Sequence, residues 1–134
     1  MRIGWRARQP RNPRQLGAAG ERLARRRLRA DRYRILARNL RTRTGELDIV
    51  ALAPDRSTVV FVEVKTRVIR DDRPTPPPES QITAHKRRKL LQLAQRVASQ
   101  QGWSDRPLRI DVIAIDWPTD GRPDVRHYVN AVTR

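Results

Sequence analysis

The sequence predicts an α/β domain built on a mixed sheet of four to five strands, in the order helix-strand-strand-strand-helix-strand, with helices on both faces. Three observations predict it. Glu46 to Ala53 and Thr58 to Lys65 are two runs rich in Val, Ile, Leu and Phe, separated by Pro54-Asp55-Arg56-Ser57, which has the residue types of a tight turn. Alternation along that hairpin leaves both of its faces largely apolar, so each must be covered. Helical patterns over residues 16–30 and 84–101 flank it, and the second leads into another apolar run at 108–116, as a crossover to a parallel strand requires.

Length and charge bound what such a domain does. A chain of 134 residues has room for one domain, burying roughly two-thirds of its unfolded surface. A net charge of +16 and a pI near 11.8 point to a polyanionic partner. Nucleic acid comes ahead of a membrane surface, because no long amphipathic or spanning stretch is present. All but three of the 30 basic residues are Arg; coding bias can set that choice of cation, but it does not account for the excess of charge. Without cysteine there are no disulfides, thiol nucleophiles or Cys-based zinc sites. Neither histidine has an acid placed by spacing to form a triad, and aromatics at 4% supply no stacking platform for single strands. The N-terminus is basic but has no apolar run behind it, so the expected compartment is the cytoplasm.

Taken in order, residues 1–13 mix Arg with Pro, Gly and Asn and read as a disordered basic arm ahead of a single domain at 14–134. In the helix at 16–30, Leu16, Gly20, Leu23, Ala24 and Leu28 form the buried stripe, broken by Arg27. Glu21 is the only acid on that helix and lies at the stripe's edge, within reach of Arg25 at i,i+4. Residues 33–42 form the first strand and turn at Thr44-Gly45 into the hairpin. The segment 68–80, with Asp71-Asp72 and Pro74, Pro76, Pro77 and Pro78, is an extended loop. Thr83 caps the helix at 84–101, whose buried stripe is Leu90, Leu93, Ala94 and Val97 and whose stop is Gly102. Its first turns carry His85, Lys86, Arg87, Arg88 and Lys89 at the end where free amides already attract anions, which costs stability unless phosphate is the partner. Lys86 is the preferred contact, with Arg87 and Lys89 beside it. Residues 108–116 form a buried strand in which Asp111 reads as structural, satisfied by an Arg or a backbone amide, and 125–132 adds an edge strand.

The hairpin register locates the chemistry. If Ala53 pairs with Thr58, Asp48 stands opposite Glu63 and Glu46 opposite Lys65. One face then carries Leu47, Ile49, Ala51, Val60, Val62 and Val64; the other runs from Leu52, Val59, Val50 and Phe61 to Asp48, Glu63, Glu46 and Lys65. Two carboxylates about 5 Å apart on a ladder repel each other, so a cation must offset them, and a hard divalent metal would satisfy both.

An acid followed by Glu-x-Lys at the end of the next strand resembles the PD-(D/E)xK signature of restriction-endonuclease-like nucleases. With Gly20-Glu21, GELDIVA, FVEVKTR and RIDVIAI, the chain from about residue 16 to 132 resembles the YraN-type family of small endonuclease-like proteins, related to archaeal junction resolvases. The residue before Asp48 is Leu47 where the wider pattern has proline. The resemblance implies a restriction-endonuclease-like core and Mg²⁺ or Mn²⁺ held by Asp48, Glu63 and the Val64 carbonyl. It further implies that Lys65 orients water or meets charge on phosphorus, that Glu21 is a further acid beside the metal, and that Arg67, just past the strand, clamps phosphate. The expected activity is metal-dependent hydrolysis of DNA, including branched DNA, which would require a homodimer to present two sites. The alternatives are a nucleic-acid-binding protein on a nuclease fold with little or no turnover, and a basic RNA-associated protein whose acids are structural.

Overall fold

A computed structural model describes residues 10, 12–70 and 82–131. The order of elements is α1 (Pro13–Ala30), β1 (Arg34–Thr42), β2 (Gly45–Leu52), β3 (Val59–Ile69), α2 (Ala84–Gln100), β4 (Leu108–Pro118) and β5 (Asp124–Tyr128). The five strands form one sheet in the order β1-β2-β3-β4-β5, parallel only between β3 and β4, where α2 makes the crossover. The sheet is therefore mixed, as expected. Most of the proposed N-terminal arm and residues 71–80 of the proline-rich loop lie outside the described residues.

Several element boundaries differ from expectation. α1 begins at Pro13, not at residue 16: the Asn12 side chain accepts the Gln15 N–H at 2.8 Å, and proline at the first helical position loses no bond. β3 continues to Ile69 and β4 to Pro118, because Val68 and Ile69 pair with Trp117 and Pro118. β5 closes at Tyr128, and Asn130 follows with φ of 56°.

The hairpin register holds along its paired length, from Leu52↔Val59 to Ile49↔Val62. Its turn is fixed by Asp55, whose carboxylate accepts the Ser57 and Thr58 N–H groups and the Thr58 hydroxyl. Those bonds, the Thr58 hydroxyl foremost, draw the carboxyl down to about 2.

Each face of the sheet packs on one helix. Val50, Val59, Phe61 and Ile110 meet Leu90, Leu93 and Val97 of α2. Ile49, Val60, Val62, Ile113 and Ile115 meet Ala24 and Leu28 of α1. Burial of each large side chain contributes roughly 1.5–3 kcal/mol. α1 lies close against β3 because Gly20 has no side chain: a methyl there would fall 2.9 Å from Thr66 Cβ and closer still to its hydroxyl.

Asp111 is fully buried and structural, as its sequence context predicts. It accepts two bonds from Arg109, one from the Asn130 N–H, and meets His127 Nε2 at 2.7 Å. Burial opposes its charge, but these partners prevail and hold the carboxyl below its ordinary range. The network ties β5 to β4.

Candidate active site at the open end of the hairpin

The ladder between β2 and β3 ends one residue short of Asp48. Since Ala53 donates to the Thr58 carbonyl, a continued register would send the Val64 N–H to the Leu47 carbonyl. Instead, Asp48 Oδ2 accepts it at 2.9 Å. The neighbouring strand is irregular at the same level. Asn39 takes φ of 51°, and the β1–β2 pairing passes from Arg38↔Ile49 to Leu40↔Leu47 around it. Ala37 and Leu40, like Val50 and Leu47, consequently pack on the same side although three residues apart. This corrects the expectation that Leu47 shares a face with Ile49. Strict alternation fails here because the left-handed Asn39 interrupts β1 and the β2–β3 ladder ends before Asp48, an irregularity of the kind that re-aims a side chain at the end of a sheet.

Three acids from different elements share this end. Burial first, then the Glu63 charge, push the Asp48 carboxyl up to about 7 against the Val64 hydrogen bond, with Glu21 and Glu46 adding to the rise. Glu21 is also raised, by burial before all; Arg25 opposes this, and Glu46 and Glu63 reinforce it. The i,i+4 influence of Arg25 is thus present, but so are the acids of the hairpin, because Gly20 brings α1 onto β3.

Glu63 has two cationic neighbours at the same oxygen. Lys65 Nζ lies 3.3 Å and Lys86 Nζ 3.8 Å from Oε1. Burial works against the Lys65 charge, but its hydrogen bond with Lys86 and the charge of Glu63 outweigh it and raise its pKa. Lys86 is lowered by the bond to Lys65, by burial and by the Lys65 charge. The sequence has only three lysines among 30 basic residues, and two of them meet at this carboxylate. Lysine presents a compact charge with rotatable donors where arginine presents a planar fork.

Lys86 reaches this position because Thr83 caps α2 beside the site, its hydroxyl accepting the Lys86 N–H at 3.2 Å. The helix N-terminus marks Lys86 in sequence as an anion contact, but its pairing with Glu63 depends on the crossover geometry and has no local signature.

The remaining predicted contacts are placed elsewhere. Arg67 is inside β3, not past its end, and donates Nε and Nη2 to the carboxylate of Asp116, which also pairs with Arg126. Its side chain is 12% exposed, so its charge is already engaged within the sheet. Arg87 lines a cavity of about 350 Å³ with Ile82, Tyr128 and Val129, apart from Glu63. Lys89 is exposed on α2.

Among the described residues no three His, Cys, Asp or Glu side chains gather closely enough to hold a metal alone. The donors present are carboxylates, with main-chain carbonyls beside them. Magnesium is bound in just this way, through one or two carboxylates, with water and substrate phosphate completing its shell. Burial first and the Glu63 charge second raise the Asp48 carboxyl, and a divalent cation at this end would offset that repulsion.

Comparison with known proteins places this chain among a large set of relatives. A family model described as "Uncharacterised protein family UPF0102" matches residues 20–115. A UPF0102 protein of Pelobacter propionicus is 44% identical over 118 residues, covering 88% of this chain and 82% of the relative. One from Symbiobacterium thermophilum is 43% identical over 118 residues, covering 88% of this chain and 96% of the relative. One from Mycobacterium avium is 42% identical over 113 residues, covering 84% and 86%. Among solved structures, "The structure of Pyrococcus Furiosus SfsA in complex with Ca2+" aligns with a TM-score of 0.41 and 17% identity over 89% of this chain. The present chain spans 64% of that protein's length. No helix among the described residues is long and apolar enough to cross a membrane.

Proposed function

We propose that this chain, which belongs to the UPF0102 family, is a metal-dependent nuclease with a restriction-endonuclease-like core that hydrolyses phosphodiester bonds in DNA. The observation that carries this reading is the meeting of Asp48 and Glu63 at the end of the hairpin, with Lys65 and Lys86 on Glu63 and the net charge of +16 around them. Asp48 and Glu63, with the Val64 carbonyl, would hold Mg²⁺ or Mn²⁺. When bound, such an ion supplies Lewis acidity and a more acidic water.

The chain's own groups do the rest. The Val64 N–H fixes the Asp48 carboxylate, so its free oxygen keeps one direction. Lys65, held 3.3 Å from Glu63, orients water or meets charge developing on the phosphoryl oxygens, a contribution of about 3–4 kcal/mol for a well-placed donor. Lys86 neutralises Glu63 in the absence of substrate and is free to turn toward a phosphate, since its side chain is 39% exposed. Glu21 contributes negative potential from α1.

The alternative is a nucleic-acid-binding protein of the same fold with little turnover. Incubation of the protein with linear, flapped and four-way DNA in Mg²⁺ separates the two. Cleavage that EDTA and Asp48→Ala both abolish supports the enzyme; binding without cleavage supports the alternative; equal cleavage by Asp48→Ala refutes the assignment of this site.

A further inference from the structure

A second basic site lies along α2 from the carboxylates. Arg41 and Arg43, at the end of β1 and in the turn after it, face Arg96 and Gln100 across an open groove of about 540 Å³. The turn is held by its own bonds: the Thr42 hydroxyl donates to the Gly45 carbonyl at 2.9 Å and accepts the Thr44 N–H. It sits directly on α2, where Gly45 approaches Leu93 so closely that a methyl would fall 3.3 Å from Leu93 Cδ2. Arg96 bonds to the Thr44 hydroxyl, not to an acid. Glu46 stands opposite Arg41 in the ladder, yet no ion pair within 4 Å is formed by Arg41, Arg43 or Arg96 among the described residues. Three guanidinium groups around one groove repel each other, and an anionic partner would offset that.

One flank of α2 runs from the candidate active site to this groove. Lys86, Lys89, Arg96 and Gln100 recur at helical spacing along one flank of α2, with Lys86 on Glu63 at one end and Arg96 on Thr44 of the β1–β2 turn at the other. Ten residues of helix separate those two cations by about 15 Å. With the duplex axis along α2, a rise of roughly 3.4 Å per base pair makes that about four nucleotides.

Resting on the nuclease reading above, we infer that the groove of Arg41, Arg43 and Arg96 binds the nucleic-acid backbone about four nucleotides from the bond held at Asp48 and Glu63. The flank of α2 carries the strand between them. Guanidinium forks and hydroxyls suit phosphate oxygens, and the internally bonded turn presents them without reordering.

The test is binding of fluorescein-labelled 20-base-pair DNA and RNA duplexes by anisotropy in EDTA, where neither metal nor cleavage enters. The parent is compared with R41A/R43A/R96A, with the charge-preserving R41K/R43K/R96K, and with R14A/R22A/R29A, which removes three exposed arginines from α1. The groove variant is expected to lower the slope of log K against log salt by about 2.7, one phosphate per arginine, so that its deficit against the parent shrinks about 40-fold between 50 and 200 mM salt. The lysine variant should keep most of the slope. Equal losses in the groove and α1 variants would mean that net charge alone acts and would overturn the groove while leaving the active-site reading intact. Loss confined to the groove variant, in a parent that never cleaves in Mg²⁺, would uphold the groove and defeat the catalytic reading. A parent that binds neither duplex overturns both.

Discussion

Replacing Asp48 by Asn should make the protein more stable, and more so as pH rises. The folded-state pKa of Asp48 is about 7, above its unfolded value. An acid raised in this way favours folding only while protonated: its contribution is complete below about pH 4 and is lost as pH climbs to about 7. Above that, the ionised carboxylate stands against Glu63 with its burial uncompensated. At about 1.4 kcal/mol per pH unit, the ceiling on this loss is near 4 kcal/mol, and water at the partly open sheet end screens it to the order of 2 kcal/mol. Asn retains an acceptor for the Val64 N–H, so the substitution removes the charge and spares the bond. Urea denaturation of parent and D48N at pH 5, 6, 7 and 8 measures the difference, in which the titration of groups remote from this site cancels. The gain from D48N should grow from pH 5 to about pH 7, level off by pH 8, and disappear when Mg²⁺ stabilises the parent. A gain independent of pH, or a loss at pH 8, would refute the uncompensated carboxylate.

Further outcomes follow from the same contacts. Gly20→Ala should destabilise the fold by about 1–3 kcal/mol, because the methyl meets Thr66; thermal denaturation of G20A and of G20A/T66A tests this, the double variant recovering part of the loss. Asp111→Ala leaves Arg109 and the Asn130 N–H without their buried acceptor and should cost about 3–5 kcal/mol in chemical denaturation. Lys65→Ala should lower single-turnover DNA cleavage by about 10²–10³-fold, the range for loss of one charge-stabilising donor, whereas Lys86→Ala should chiefly weaken binding of DNA. Equal effects of the two substitutions on the cleavage step would refute the separate roles given to them.

Local rules were enough for much of this architecture. The Asp55 turn, the hairpin register, the Thr83 cap and the parallel crossover each have a short-range cause, in turn residues, alternation or helix capping. The site was legible in part: Asp48, Glu63 and Lys65 do gather at one end of the hairpin. What escaped was long-range. The left-handed Asn39 and the early end of the β2–β3 ladder move Leu47 to the α2 side, and alternation cannot anticipate an irregularity set by a neighbouring strand. The extension of β3 into Val68 and Ile69 depends on pairing with β4, some 50 residues later, and it places Arg67 on Asp116. Lys86 meets Glu63 only because the crossover sets the start of α2 over the end of β3.

Calorimetric titration of Mn²⁺ into the parent and into D48A and E63A tests the central claim most directly. Saturable binding to the parent that both substitutions remove, with the fold retained by circular dichroism, is the predicted result. Unchanged binding in either variant, or no binding to the parent even with a DNA duplex present, would contradict a metal site at Asp48 and Glu63.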